Sequence, residues 1–277
     1  MKDARDWDWL IPAPAATALA SGFIAETVAA AGAAGVVIGL SGGIDSAVAA
    51  ALAKEGLGAD RVRGAALPYR ASHPDSLADA EAVAACLDIA LERRDITAMA
   101  DAFMAEIPAD ARVRRGNVMA RCRMIVMYDI SARYGTLVLG TGNRTETLLG
   151  YATLFGDAAF SLNPLGDLYK AEVRSLARHF GLPRTILEKA PSADLWAGQT
   201  DEDELGFTYE EADRLLHAMV DDGLGDRQLA ALGFRPDLVT AVRARVRAQA
   251  FKWLPVPTAR FPGRPMPDLS GKGGSRS

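Results

Sequence analysis

Cysteine and histidine are both scarce in this chain of 277 residues: Cys86 and Cys122 are the two cysteines, and His73, His179 and His217 the three histidines. No CxxC pair occurs and the histidines form no close pair, so the spacings of structural zinc and iron–sulfur sites are missing. Both cysteines fall in stretches that read as helix, which predicts two buried, reduced thiols rather than a disulfide. A positive charge excess is also missing. The formal net charge of −4 argues against a protein whose main task is to hold a nucleic-acid backbone, because that needs clustered cations to replace counterions. The start lacks the cationic run of a secretory leader, since Lys2 and Arg5 are interspersed with Asp3, Asp6 and Asp8. The alanine-rich stretch after Pro14 is interrupted by Ser21 and Glu26 and reads as too polar for a membrane span. These absences predict a cytoplasmic protein with neither membrane nor nucleic acid as partner. Aromatic residues are only 7% of the chain against 49% hydrophobic, so its helices should pack closely on small side chains. The length suits one domain over residues 1–254, followed by a Pro-, Gly- and Ser-rich, loosely ordered tail over 255–277.

What is present is an alternation of two periods. Residues 15–31 have helical spacing, 36–40 form a short β-branched run of the buried-strand kind, and 45–55 read as helix again. Strand (62–67), helix (76–87), strand (91–95), helix (96–106), a long helix (113–134) and strand (136–140) follow. Met119, Met124, Ile125, Met127 and Tyr128 are expected on or near one face of the long helix. Such alternation predicts an α/β fold, a Rossmann-like, mostly parallel sheet with helices on both faces. Residues 143–168 and 190–206 lack a clear period and read as functional loops, with a helix over 169–180 between them and two or three more up to Lys252.

The densest signal is Gly39-Leu40-Ser41-Gly42-Gly43-Ile44-Asp45-Ser46, between the first strand and its helix. Adjacent glycines let backbone N–H groups converge on an anion, and the helix that follows points its positive end at the same place. Ser41 and Ser46 add hydroxyls. Asp45 would repel a bare phosphate, which implies a bridging Mg²⁺. Three other readings compete. A Walker A loop needs GxxxxGK(S/T), and no lysine follows these glycines; a dinucleotide fingerprint needs GxGxxG, and the spacing differs. The third, GxSxG, is the nucleophile elbow of α/β-hydrolases, for which Asp194 and His217 would complete a triad with Ser41. It leaves Asp45 and Ser46 without a role. A bare Ser-Gly-Gly is also, more simply, a tight turn.

The string SGGxDS resembles the pyrophosphatase loop of the N-type ATP pyrophosphatases, whose fold is that of the adenine nucleotide α-hydrolases. Downstream, Ala120-Arg121-Cys122-Arg123-Met124, Gly140-Thr141-Gly142-Asn143-Arg144-Thr145-Glu146, Gly156-Asp157, Leu168-Tyr169-Lys170 and the stretch from Pro191 to Glu202 occur in order, closed by Glu204-Leu205-Gly206. Together, from about residue 20 to Pro257, they resemble the ammonia-dependent NAD synthetases. The resemblance implies that ATP is cleaved between its α and β phosphates, that AMP is carried by a substrate carboxylate, and that ammonia displaces it to leave an amide. It also implies that residues 39–46, Thr141, Lys170 and Ser192 contact ATP, that Asp45 and Glu146 hold Mg²⁺, that Asp45 and Lys170 are catalytic, and that Arg121, Leu154, Asp157, Ser161 and Lys252 stand where the family meets a deamido-NAD⁺ substrate. A homodimer is implied too. Chemistry of this kind needs positioned phosphates and exclusion of water more than acid–base groups, in keeping with a motif set without histidine.

One segment departs from the family pattern, in which Thr-Lys-x-Gly-Asp-Gly precedes a substrate-binding aspartate. Here Leu154 stands for the lysine, Ala158 for a glycine and Ser161 for the aspartate; loss of such charged partners costs about 2–5 kcal/mol where they are desolvated. Two expectations follow: a NAD synthetase that compensates elsewhere, or a paralogue that amidates another carboxylate. Neither cysteine sits in a nucleophile setting, so ammonia comes from solution or from a separate partner chain. Outside this class stand a tRNA-modifying adenylase, which would want a basic surface and catalytic cysteines, and a non-catalytic nucleotide-binding protein, against which Asp45, Glu146 and Lys170 argue.

Overall fold

The computed structural model describes residues 9–192 and 200–259. Four short strands form one parallel sheet: β1 (Val36–Gly39), β2 (Val62–Ala66), β3 (Ala90–Arg93) and β4 (Leu137–Leu139), in the order β3-β2-β1-β4. Val36 pairs with Val62 on one side and Leu137 on the other, and Arg63 pairs with Ala90. The run 36–38 is β-branched throughout because β1 is covered on both faces. Val36 and Ile38 enter one core cluster and Val37 the other, as the twofold period of a strand requires.

On the first face lie α1 (Ala13–Ala30), α2 (Ile44–Leu57), α3 (Pro74–Leu87), α7 (Lys170–His179) and α8 (Arg184–Glu188). α2 is buried over Ser46–Ala53 with alanine at five of eight positions, and a Cβ on Gly56 would come within 2.4 Å of the Ser21 carbonyl oxygen of α1. The expected packing on small side chains is thus explicit here. α1 is apolar and long enough to match a membrane span in composition, at mean hydropathy 1.2. The expectation that Ser21 and Glu26 make it too polar is therefore corrected. What marks it as a core helix is its packing, with Ile24 and Val28 wholly buried against the first-face cluster.

The second face carries α4 (Thr97–Met104) and the long α5 (Arg112–Tyr134). Met119, Met127 and Ile130 are buried beneath α5, Met124 lines a cavity, and Ile125 and Tyr128 are exposed. The five residues expected together therefore divide, since each residue turns the helix by about 100° and no single face holds both 124 and 125. Cys122 is buried but Cys86 is exposed at the outer side of α3, which corrects the expectation of two buried thiols.

Two stretches read as loops contain short helices. α6 (Arg144–Leu149) opens with a capping box, Asn143 accepting from the Glu146 N–H and Glu146 accepting from the Asn143 N–H, and α9 (Asp201–Leu205) is capped by Thr200. A third cluster joins α6 to α10 (Tyr209–Leu216), α11 (Asp226–Ala231) and α12 (Pro236–Gln249) through Leu149, Tyr169, Leu215 and Val242. The 255–277 tail lies mostly outside the described residues.

Candidate active site

In this strand order β2 and β4 flank β1 on opposite sides, so the chain leaves β1 and β4 at the point where the winding of the sheet reverses. Open α/β sheets place their ligand crevice outside the carboxyl ends of the strands at such a point. Leu40 and Ser41 follow β1 and Gly140 and Thr141 follow β4, and all four line a cavity of about 740 Å³.

The glycine loop is held by its own groups. Gly42 has φ +74°, and a Cβ there would lie 2.5 Å from the Ser76 carbonyl oxygen, so only glycine fits. Ser41 Oγ accepts from the Gly43 N–H at 3.2 Å, and Ser46 Oγ donates to the Gly43 carbonyl at 3.0 Å while accepting from the Ser41 N–H at 3.3 Å. The two hydroxyls expected as phosphate donors therefore also lock the loop. Gly43 caps α2 without a side-chain acceptor, and Ile44 and Asp45 begin the helix.

Three helix starts converge beside this loop. Asp45 comes from the first turn of α2, Glu146 from the first turn of α6, and Lys170 is the first residue of α7. Lys170 Nζ donates to Asp45 Oδ2 at 2.5 Å and to Glu146 Oε1 at 3.0 Å, and its ammonium stands 4.8 Å from the Tyr209 ring centroid. Asn143 Nδ2 donates to Asp45 Oδ1 at 2.9 Å. Lys170 is only 2% exposed, so it is no solvated cation at a helix start. Burial alone would lower the Lys170 pKa, but the two carboxylates outweigh it and hold the ammonium charged. For Glu146, burial and then the Asp45 charge push the carboxyl up to about 7, against the pull of Lys170.

The hydroxyls and carboxylates packed around these three side chains receive no role from the sequence. Tyr209 Oη donates to Asp201 Oδ2 at 3.0 Å and lies 3.4 Å from Glu146 Oε1. Tyr151 Oη donates to Asp201 Oδ1 at 2.9 Å and to Glu204 Oε2 at 3.1 Å, and both Tyr151 and Glu204 line the cavity. Asp213 accepts from Thr145 Oγ1 and from the Ala171 N–H, while Thr145 Oγ1 accepts from the Lys170 N–H; burial pushes the Asp213 carboxyl up to about 6. Asn143, Thr145 and Asp201 stand inside the quoted motifs, and the broken apolar pattern of α10 could have flagged Asp213. For Tyr209 the sequence offers no signal.

Of the residues expected to meet ligands, Gly39, Leu40, Ser41, Thr141, Asp157 and Lys252 line the cavity. Asp157 Oδ1 accepts from the Thr153 N–H at 2.7 Å, and Lys252 Nζ donates to the Gly150 and Ala152 carbonyls at 2.7 and 2.9 Å. Phe251, beside Lys252 in the chain, is 61% exposed. Arg121, Leu154 and Ser161 are not in the cavity wall, contrary to expectation for a single chain. Arg121 is occupied with the Leu154 carbonyl at 3.1 Å, and Ser161 Oγ accepts from the Val138 N–H, extending the edge of β4. Ser192 is described, whereas Asp194 lies outside the described residues. For the triad's other two members, the His217 ring stacks on Trp9 at 4.3 Å and Ser41 Oγ bonds within its own loop.

Two carboxylates on converging helix starts, beside the glycine loop, offer hard oxygen donors of the kind Mg²⁺ takes when phosphates complete its shell. Asp45, Glu146 and Asp201 also outnumber the single Lys170 ammonium, so a further cation fits the charge of the site.

A model of the NAD synthase family matches residues 17–255. The NH(3)-dependent NAD(+) synthetase of Chlorobium phaeovibrioides is 52% identical over 229 residues, 83% of this chain and 83% of that protein. Among solved structures, the NMN synthetase from Francisella tularensis superposes with a TM-score of 0.80 at 33% identity, covering 91% of this chain and all of that one. The NH3-dependent NAD synthetase from Campylobacter jejuni, in complex with the nitrate ion, gives 0.77 at 32%, covering 90% of this chain and all of the other.

Proposed function

The chain belongs to the NAD synthase family, and from that premise we propose the following assignment of its chemistry to its residues. The enzyme is an ATP-dependent ligase that forms a C–N bond, amidating deamido-NAD⁺ with ammonia. An oxygen of the substrate carboxylate attacks the α-phosphorus of ATP, the bond to the β-phosphate oxygen breaks, and pyrophosphate leaves into the loop at Ser41–Ser46. Ammonia then attacks the acyl carbon, the bond from that carbon to the AMP oxygen breaks, and the surplus proton passes to solvent. Activation is needed because a carboxylate oxygen is a poor leaving group until AMP carries it.

The single observation that supports this placement is the buried Lys170 ammonium between Asp45 and Glu146 at the mouth of the glycine loop. Backbone N–H groups at the start of α2 and the Lys170 cation face the charge that develops as the α–β bond breaks. Asp45 and Glu146 would hold Mg²⁺, which supplies charge neutralisation on the departing pyrophosphate. Thr141 and Ser192 contact the nucleotide, and Asp157 and Lys252 border the acceptor. The intact ATP-side motifs and the similarity to NH(3)-dependent NAD(+) synthetases over most of the chain favour NAD synthesis over a paralogue with another acid, with Leu154 and Ser161 standing where the family has lysine and aspartate.

The exposed apolar stripe of α5, with Val113, Ile125 and Tyr128, together with Phe155 and Phe160 nearby in the acceptor segment, is the face on which we place the homodimer. Arg121 and Leu154 then lie where the partner copy closes the acceptor site. We assign the enzyme to the cytoplasm and its ammonia to solution or to a separate protein.

Pyrophosphate release with ATP, Mg²⁺ and ammonium tests the reading. It should depend on deamido-NAD⁺, fall to background in Asp45→Ala, and discriminate against nicotinic acid mononucleotide. Turnover undiminished in Asp45→Ala overturns the assignment, and preference for the mononucleotide moves the acceptor.

A further inference from the structure

The glycine loop has no lysine of its own, yet a cation reaches it from 147 residues downstream. Lys189, where the chain leaves α8, places Nζ 2.8 Å from Asp79 Oδ2, 3.4 Å from Ser76 Oγ and 3.3 Å from the carbonyl oxygen of Gly42. Asp79 is buried on α3, and its side chain is 11% exposed. A lysine at the end of a helix beside a carboxylate is ordinarily only a structural pair. The third partner sets this one apart.

Gly42 O and the Gly43 N–H belong to one peptide unit. Its oxygen is held by Lys189 and its N–H by Ser41 Oγ at 3.2 Å. A peptide between two glycines flips at little steric cost, and a flip would turn a carbonyl dipole toward the place where the loop must receive an anion. Lys189 opposes that flip, because it would lose a charge-assisted bond. The same short segment is anchored again two residues on, where the Pro191 carbonyl accepts from the Asp201 N–H at 3.0 Å, and Ser192 follows. The cation thus ties three parts together: the loop, the start of α3 beneath it, and the segment that carries Ser192.

We propose that Lys189 is a positioning residue for pyrophosphate, fixing the Gly42–Gly43 peptide in its anion-accepting orientation and registering the Ser192 segment against it. The inference rests on the pyrophosphatase reading of the loop and deepens it.

The test is calorimetric titration of the full chain with inorganic pyrophosphate and with ATP, each with Mg²⁺ and without acceptor, alongside steady-state kinetics. Lys189→Met should weaken both ligands by about tenfold, the worth of one charge-assisted hydrogen bond, and raise KM for ATP by the same factor. KM for deamido-NAD⁺ and for ammonium should stay unchanged, and Lys189→Arg should recover most of the loss. Unchanged pyrophosphate and ATP affinity in Lys189→Met overturns the proposal, as does an equal rise in all three KM values with a lowered Tm, which marks a general structural role. If Lys189→Met does not fold, Asp79→Asn decides: it keeps the cation but frees its anchor, and a pyrophosphate affinity equal to wild type overturns the proposal. Wild-type protein that binds neither ATP nor pyrophosphate overturns the underlying reading instead.

Discussion

Glu146 illustrates how a single carboxyl carries both a folding cost and a binding function. Its pKa stands at about 7 in the fold, against 4.5 for an ordinary glutamate, because burial and the neighbouring Asp45 disfavour its charge. Between those two values the folded chain binds more protons than the unfolded chain, so stability falls as pH rises through that window. Asp213, raised to about 6, adds a contribution of the same sign. Any cation that Glu146 ligates requires the ionised form, so metal–nucleotide binding should release protons at about pH 6 and almost none at about pH 8.5. Calorimetry in two buffers of different ionisation enthalpy checks this, and heats at about pH 6 that do not depend on the buffer would contradict it. Asp45, Glu146 and Lys170 could be named from sequence because each lies in a motif with a family role. Tyr209 could not: it meets Glu146 across 63 residues and carries no local signal for doing so. Ser161 shows the converse, since a motif position says which residue stands there and not whether its hydroxyl faces a ligand or the edge of β4.

Periodicity served the strands and the longer helices well and the shortest helices poorly. α2, α3 and α5 are found within two residues of their expected bounds, as are all four strands. α6 and α9, of six and five residues, are too short to show a helical period, and each is instead marked by its cap, Asn143 with Glu146 or Thr200 with Asp203. The division of α5 into a buried and an exposed side leads to a stability prediction. Ile130 is 1% exposed in the second-face cluster, so Ile130→Ala should cost about 2–5 kcal/mol by loss of burial and an unfilled cavity. Urea unfolding measures it, and a loss below about 1 kcal/mol would mean that α5 relaxes into the gap.

At the scale of the molecule, strand–helix alternation gives a parallel sheet but not the order of its strands. The placement of β4 beside β1, with Val36 opposite Leu137, brings residues 141–146 to the glycine loop. That step was reached only through motifs that share a function, because nothing in the local sequence of β4 names its neighbour. The exposed face of α5 is where the proposed homodimer is tested. Ile125 is 53% exposed, and Ile125→Asp should leave the monomer folded while converting dimer to monomer in sedimentation velocity, with a rise in KM for deamido-NAD⁺ of about tenfold or more. A dimer that withstands the substitution places the interface elsewhere.

The ammonium lodged between Asp45 and Glu146 bears on the life of the enzyme before it meets any nucleotide. In zinc fingers the metal is part of the fold, and a chelator unravels the chain. Here the protein brings its own resident cation, which offsets part of the carboxylate charge in the ligand-free molecule, and on the proposed reading magnesium comes in with ATP. Depleting divalent ions with EDTA should idle the enzyme while leaving its Tm within about 2 °C, and restoring them should return full turnover without refolding. A cell short of magnesium would then keep its stock of this enzyme intact, waiting.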